Sequence, residues 1–222
     1  MKKLLLGLMV LCTSSCKPLL VRALLKNPKV ENTASVQQFQ EKNNYSTTNS
    51  LILNADTSTA EEALFLGLSQ GYVVFDQNGQ KICYYGSSSC QGEQFSALIN
   101  NDFEHFKVCE TGSATLEEAL SQTYGLNEKP VTLADFPTSD YYILAYWQRF
   151  LGGKRGYEDA VNWMDKAIQK REATAKPSFT LIKINTDFQE NWGFKSGGKA
   201  KLKRHFTDGY LHLEISKFPP KK

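Results

Sequence analysis

The 222-residue chain predicts an α/β fold built on a mixed sheet flanked by helices. Three observations predict it. Strand-like apolar runs alternate with amphipathic helical stretches along the chain. Two hairpin signals, Asn78-Gly79 and Asp208-Gly209, each call for an antiparallel pair. The run "YYILAYW", Tyr141 to Trp147, is apolar and reads as a buried strand.

Taken in order, the chain opens with Met1-Lys2-Lys3 and the apolar run Leu4 to Leu11. That run is too short to cross a bilayer and fits the core of a secretory signal peptide. Ser14 and Ser15 before Cys16 resemble a bacterial lipobox, with Thr13 standing where Leu is usual. The resemblance implies a signal peptide over 1–15 and a lipid on Cys16. The alternative is an ordinary secretory signal with a cysteine there by chance. Cys12 fits less well, because bulky Leu11 precedes it. Residues 16–50 read as a lipidated tether and linker, with a short helix from Ser35 to Lys42.

Residues 51–125 read as an N-terminal α/β half. "SLILNAD" is a strand, and Thr59 with Glu62 forms a capping box for the helix that ends at Gly71. "GYVVFDQNGQKICYYG" is a hairpin. A two-residue Asn78-Gly79 loop pairs Asp76 with Lys81, Phe75 with Ile82 and Val74 with Cys83. Both strands are apolar on both faces, which predicts a covered sheet. "GEQFSALINND" is a helix and "EHFKVCE" a strand. "SATLEEALSQTYG" is a helix with a second capping box, Thr115 with Glu118, that ends at Gly125.

Residues 126–222 read as a C-terminal half. After the strand at Tyr141 comes a long helix with Val161, Met164, Ala167 and Ile168 on one stripe. "SFTLIKIN" is a strand. The last hairpin turns at Asp208-Gly209 and pairs Phe206 with Leu211, Leu202 with Ile215, His205 with His212 and Lys203 with Glu214. Its alternation predicts one exposed face.

Charge narrows the function classes. Without Lys2 and Lys3 the chain has about 24 basic and 23 acidic residues, which argues against a nucleic-acid partner. From Lys195 onward, eight Lys and Arg face only Asp208 and Glu214. That tail is a basic patch, either a solvated strand face or a binding surface. "GFKSGGKA", Gly193 to Ala200, approaches the phosphate-binding GxxxxGK[ST]. Ala200 lacks the hydroxyl that would hold magnesium, and a strand rather than a helix follows, so no nucleotide is expected. His205 and His212 could share a metal, but zinc usually needs three or four ligands, so no metal is expected either. No GxSxG occurs.

"KPVTLADFPTSDYYILAYWQRFLGGKRGYEDAVNWMDKAI" resembles the front of a redoxin-type thioredoxin-like domain. There, an apolar strand leads into a Trp-Cys-x-x-Cys turn that opens a long helix. "SFTLIKINTD" resembles the next strand, and the Asn78-Gly79 hairpin with "EQFSALIN" resembles the back of the same fold. Lys26 to Asn32 and Phe75 to Gly79 are similar to segments of Bacteroidetes-type lipoproteins. The back precedes the front here, so the resemblance implies a permuted fold or two partial thioredoxin-like halves, with the last hairpin a second copy of the back.

On that resemblance Phe150 stands at the tryptophan position, Leu151 and Lys154 at the two cysteines, and Gly152-Gly153 between them. Neither Leu151 nor Lys154 can perform dithiol exchange, which needs an activated thiolate and a resolving thiol. The family's cis-proline is missing before Tyr72 too. Cys83, Cys90 and Cys109 remain as candidate thiols, an odd number whose pairing stays open. Cys83 reads as an inert strand thiol; Cys90, in a loop before a helix, is the better reactive candidate.

The expectation is therefore a lipoprotein of the bacterial envelope, tethered at Cys16 and facing the periplasm from the outer membrane. Its thioredoxin-like domain is redox-inactive, needs no cofactor, and binds or assembles another envelope protein through the turn Phe150 to Tyr157. The alternative is a thiol oxidoreductase using Cys90 with Cys83 or Cys109.

Overall fold

The structure, a computed structural model, describes residues 26–69, 71–110, 112–171, 175–207 and 210–222. The expected signal peptide and Cys16 lie outside the described residues. In chain order come helix α1 (Thr33–Lys42), strand β1 (Ser50–Leu53), helix α2 (Ala60–Ser69), and strands β2 (Tyr72–Asp76) and β3 (Lys81–Tyr84). Helix α3 (Gln91–Ile99), strand β4 (Phe106–Val108), helix α4 (Leu116–Ser121), and strands β5 (Thr123–Gly125) and β6 (Tyr141–Trp147) follow. A long helix then runs as α5 (Lys154–Tyr157), a π-helical stretch (Glu158–Asn162) and α6 (Trp163–Gln169). Strand β7 (Phe179–Asn185) and the hairpin β8 (Lys201–Thr207) and β9 (Tyr210–Lys217) end the chain.

Seven strands form one mixed sheet in the order β4-β3-β2-β6-β7-β1-β5. β6 and β7 are parallel and joined by the long helix. β2 runs antiparallel to β6, and β1 parallel to β7. β6 is central, and Tyr142 to Trp147 are all buried. Alternation along the strand divides those residues between two cores. Tyr142, Leu144 and Tyr146 pack with Ala60, Leu64, Leu116 and Leu120 of α2 and α4. Ile143, Ala145 and Trp147 pack with Val36, Phe95, Val161 and Met164 on the opposite face. The α/β class with a mixed sheet between helices is thus as expected.

Several details differ from the sequence reading. The first hairpin pairs Phe75 with Lys81 and Val74 with Ile82, one residue away from the expected register. Its loop has three residues: the Asp76 amide donates to the Gln80 carbonyl (2.9 Å), and the Gly79 amide donates to the Asp76 carbonyl (3.0 Å). The Asp76 carboxylate accepts the amides of Asn78 (2.9 Å) and Gln80 (2.8 Å), so it holds the turn instead of facing Lys81. Gly79 alone takes a left-handed φ, +75°, which marks a glycine bulge and not a two-residue turn. β3 is only half-buried, because its neighbour β4 is the sheet edge.

The Thr115–Glu118 capping box forms as expected, but its helix stops at Ser121. Thr123–Gly125 instead becomes β5 and pairs with β1. The segment read as tether and linker is folded well before residue 50. Val36 and Gln40 of α1 are fully buried, and the Val30 amide donates to the Gly198 carbonyl at 2.8 Å. The strands of 51–125 and 126–222 interleave in one sheet, so the two segments do not build separate sheets. β8 and β9 form their own two-stranded sheet in the expected register, from Thr207 opposite Tyr210 to Leu202 opposite Ile215.

Candidate functional site

The turn after β6 is where the sequence reading placed the site. Three glycines shape it. Gly152 (φ +76°) and Gly153 (φ +56°) are both left-handed, a conformation cheap only for glycine. At Gly156 a Cβ would lie 1.5 Å from the Leu151 carbonyl oxygen, so the first turn of α5 closes on the preceding backbone. The Gly153 amide donates to the Arg149 carbonyl at 3.0 Å, and the Tyr157 amide to the Gly153 carbonyl at 3.1 Å.

Beneath the turn sits Asp187, two residues past β7 and fully buried. Its carboxylate accepts the Arg149 amide and the Asn185 side-chain amide, each at 2.8 Å. Gln189 fastens the same loop by donating to Asn185 Oδ1 at 3.0 Å. Burial pushes the Asp187 carboxyl up to about 6, although those donors and Arg149 pull it down. The Arg149 side chain pairs with buried Glu31 and lies 5.1 Å from the centre of the Phe39 ring. Ser35 donates its hydroxyl to the same Glu31 carboxylate at 2.6 Å. Behind the turn, Trp147, Tyr157, Phe39 and Tyr45 form an aromatic stack, with Tyr45 and Tyr157 centred 4.3 Å apart.

The expected binding surface needs correction at its two ends. Phe150 is 4% exposed and Tyr157 1%, so both rings belong to the cores. Leu151, Gly152 and Gly153 are half-buried, and Lys154 is exposed. The chain's own N-terminal segment lies against the turn: the Lys26 amide donates to the Phe150 carbonyl at 3.1 Å.

The cysteines are settled by strand pairing. Cys83 of β3 and Cys109, the residue after β4, form a disulfide, with Cα atoms 5.0 Å apart. Cys90 is free and exposed at the N-cap of α3. Among the described residues the cysteines thus lie on β3, just after β4 and at α3, and positions 151 and 154 are Leu and Lys. His205 and His212 are paired in the hairpin register. Among the described residues no group of three or more His, Cys, Asp and Glu could hold a metal ion. Among them also, no helix is long and apolar enough to cross a membrane.

Sequence reading missed a cleft of about 670 Å³ beside the turn. It forms where the N-terminal segment, the turn and the last hairpin meet. Lys26, Lys29, Arg149, Lys154, Lys199 and Arg204 line it, together with Glu31 and Asp187. The basic tail was the one legible hint, because Lys199 and Arg204 come from it. Lys26 and Lys29 could not be placed beside them from sequence, since the contact spans more than 170 residues. Comparison with known proteins found no matching family model, no matching curated protein and no matching solved structure.

Proposed function

We propose that this protein is an exported, lipid-anchored binding module of the bacterial envelope, built on a permuted thioredoxin-like sheet without dithiol chemistry. The observation that carries the reading is the turn at the end of β6. It opens a long helix between two parallel central strands, yet presents Leu151 and Lys154 where the redox sulfurs would stand. The strand order β3-β2-β6-β7 supports the permuted form. There the β2–β3 hairpin lies antiparallel beside the first strand of the crossover, and α3 follows it. The Cys83–Cys109 disulfide supports export, because such bonds persist in oxidising compartments.

Anchoring is tested by metabolic labelling with palmitate in a bacterial host. Label should enter the wild type and be lost in Cys16→Ser; equal labelling of both would remove the anchor. Insulin reduction tests the chemistry. Wild type should show no turnover above background. Turnover that survives Leu151→Ala with Lys154→Ala and disappears in Cys90→Ser would overturn the redox-inactive reading.

The second reading, a thiol oxidoreductase using Cys90, is favoured by one observation: Cys90 is exposed at the start of a nine-residue helix. It requires Cys90 to exchange with the Cys83–Cys109 bond. Mass spectrometry after peroxide and alkylation decides between the two. An inert Cys90 removes the oxidoreductase.

A further inference from the structure

The cleft beside the turn gathers charge that the fold itself leaves unpaired. Six cations line it against two carboxylates. Glu31 is already engaged by Arg149 and Ser35. Asp187 is held by the Arg149 amide and Asn185. Lys26, Lys29, Lys154, Lys199 and Arg204 form no salt bridge among the described residues. Arg204 adds a second, independent sign. Its Nε is buried and has no hydrogen-bond partner among the described residues. A charged donor left unpaired away from water costs free energy that an acceptor restores.

We propose that this cleft is a phosphate site, which takes a phosphate-bearing lipid headgroup or a soluble phosphorylated compound through Lys199, Arg204 and the cations that face them. The proposal deepens the reading of the turn as a binding surface and names what that surface takes. Phosphate fits better than a carboxylate for two reasons. Guanidinium forks and ammonium groups converging from several sides match an acceptor with three or four oxygens. A surplus of positive charge is also better balanced by a dianion. The cleft, about 670 Å³, has room for a phosphate carried on a larger molecule.

Position brings the headgroup source within reach. Lys26 lies ten residues after Cys16, a span of at most about 35 Å when extended. A lipid on Cys16 would hold the cleft near the headgroup layer. That step rests on the anchored reading; the charge, the buried Arg204 donor and the cleft do not.

The test uses the full-length protein purified in a neutral detergent at fixed ionic strength. Its unfolding midpoint is followed during titration with three probes: inorganic phosphate, glycerol 3-phosphate, and mixed micelles containing phosphatidic acid. Micelles with phosphatidylcholine are the control. At a hundredfold excess over Kd, a binding probe should raise the midpoint by about 5 to 10 °C. Lys199→Glu combined with Arg204→Glu should abolish the rise. Lys195→Glu with Lys217→Glu makes the same charge change in the same tail but outside the cleft, and should keep it. Lys199→Arg should also keep it. A rise with phosphatidic acid micelles alone makes the headgroup the source; a rise with glycerol 3-phosphate makes it a soluble compound. No rise with any probe overturns the site, as does an equal loss in the two double variants. Palmitate labelling fails or succeeds independently, so loss of the anchor would not be mistaken for loss of the cleft.

Discussion

Replacing Asp187 with Asn removes a carboxylate buried under the glycine turn. The folded protein raises this carboxyl from its ordinary 3.8 to about 6, chiefly through burial. Each pKa unit corresponds to about 1.36 kcal/mol, so the ionised form costs the fold about 3 kcal/mol. The sign follows from the direction. Below pH 3.8 the group is protonated in both the folded and the unfolded chain, and the fold bears no cost. As pH rises towards about 6 the unfolded chain ionises first, and stability is lost. Well above pH 6 both forms are ionised and the loss is complete. Urea unfolding of wild type and Asp187→Asn between pH 3.5 and 8 measures it. The stability of wild type minus that of the variant should fall by about 2 kcal/mol between pH 3.8 and 6, reach a total loss of about 3 kcal/mol near pH 7, and stay level beyond. Subtraction cancels titrating groups remote from Asp187, while the coupling of Asp187 to Glu31 and Arg149 stays in the difference. A flat difference curve, or one that rises with pH, would refute a carboxylate strained by burial.

Reducing Cys83–Cys109, which spans 26 residues, should cost about 3 to 4 kcal/mol by loss of chain restriction. Calorimetry in a Cys90→Ser background would show it as a fall of roughly 7 to 14 °C in Tm. Gly156→Ala should destabilise by about 3 kcal/mol or more, since its Cβ meets the Leu151 carbonyl oxygen at 1.5 Å and neither backbone can yield cheaply. Denaturant midpoints would reveal it, and a neutral result would mean the turn is not built as described. Glu118→Ala should lower the denaturant midpoint slightly by opening the capping box, in which Glu118 accepts the Thr115 amide at 2.7 Å.

What could be read from the sequence was what local chemistry decides. β6 was legible because both of its faces are buried, so every position had to be apolar. The last hairpin was legible because alternating strands and Asp208-Gly209 agree on one register. The first hairpin slipped by one residue because a side chain outvoted the dipeptide rule. Asp76 accepts two loop amides and stabilises a three-residue turn that Asn78-Gly79 alone does not foretell. The cysteine pairing needed β3 beside β4, a tertiary fact. Phe150 was read as surface because the resemblance supplied a role for its position, whereas the core behind the turn had room for the ring. The cleft lay beyond sequence reading altogether. Its cations come from residues 26–29, 149–154 and 199–204, and nothing local links them.

The same region also gathers several tightly constrained features. Two consecutive left-handed glycines, a third glycine without space for a methyl group, and a buried carboxylate all sit within the one turn and its supporting loop. Local strain and perturbed pKa values concentrate where a protein positions groups for a task. On the proposed thioredoxin-like reading such a turn would position sulfurs, and Leu151 and Lys154 would stand in those places. The features that remain have one visible effect. Asp187 fixes the Arg149 backbone, Glu31 fixes the Arg149 side chain, and the Phe150 carbonyl fastens the chain at Lys26. All three contacts hold walls of the basic cleft in place. A turn held this tightly without sulfur chemistry fits the preorganised binding surface proposed above.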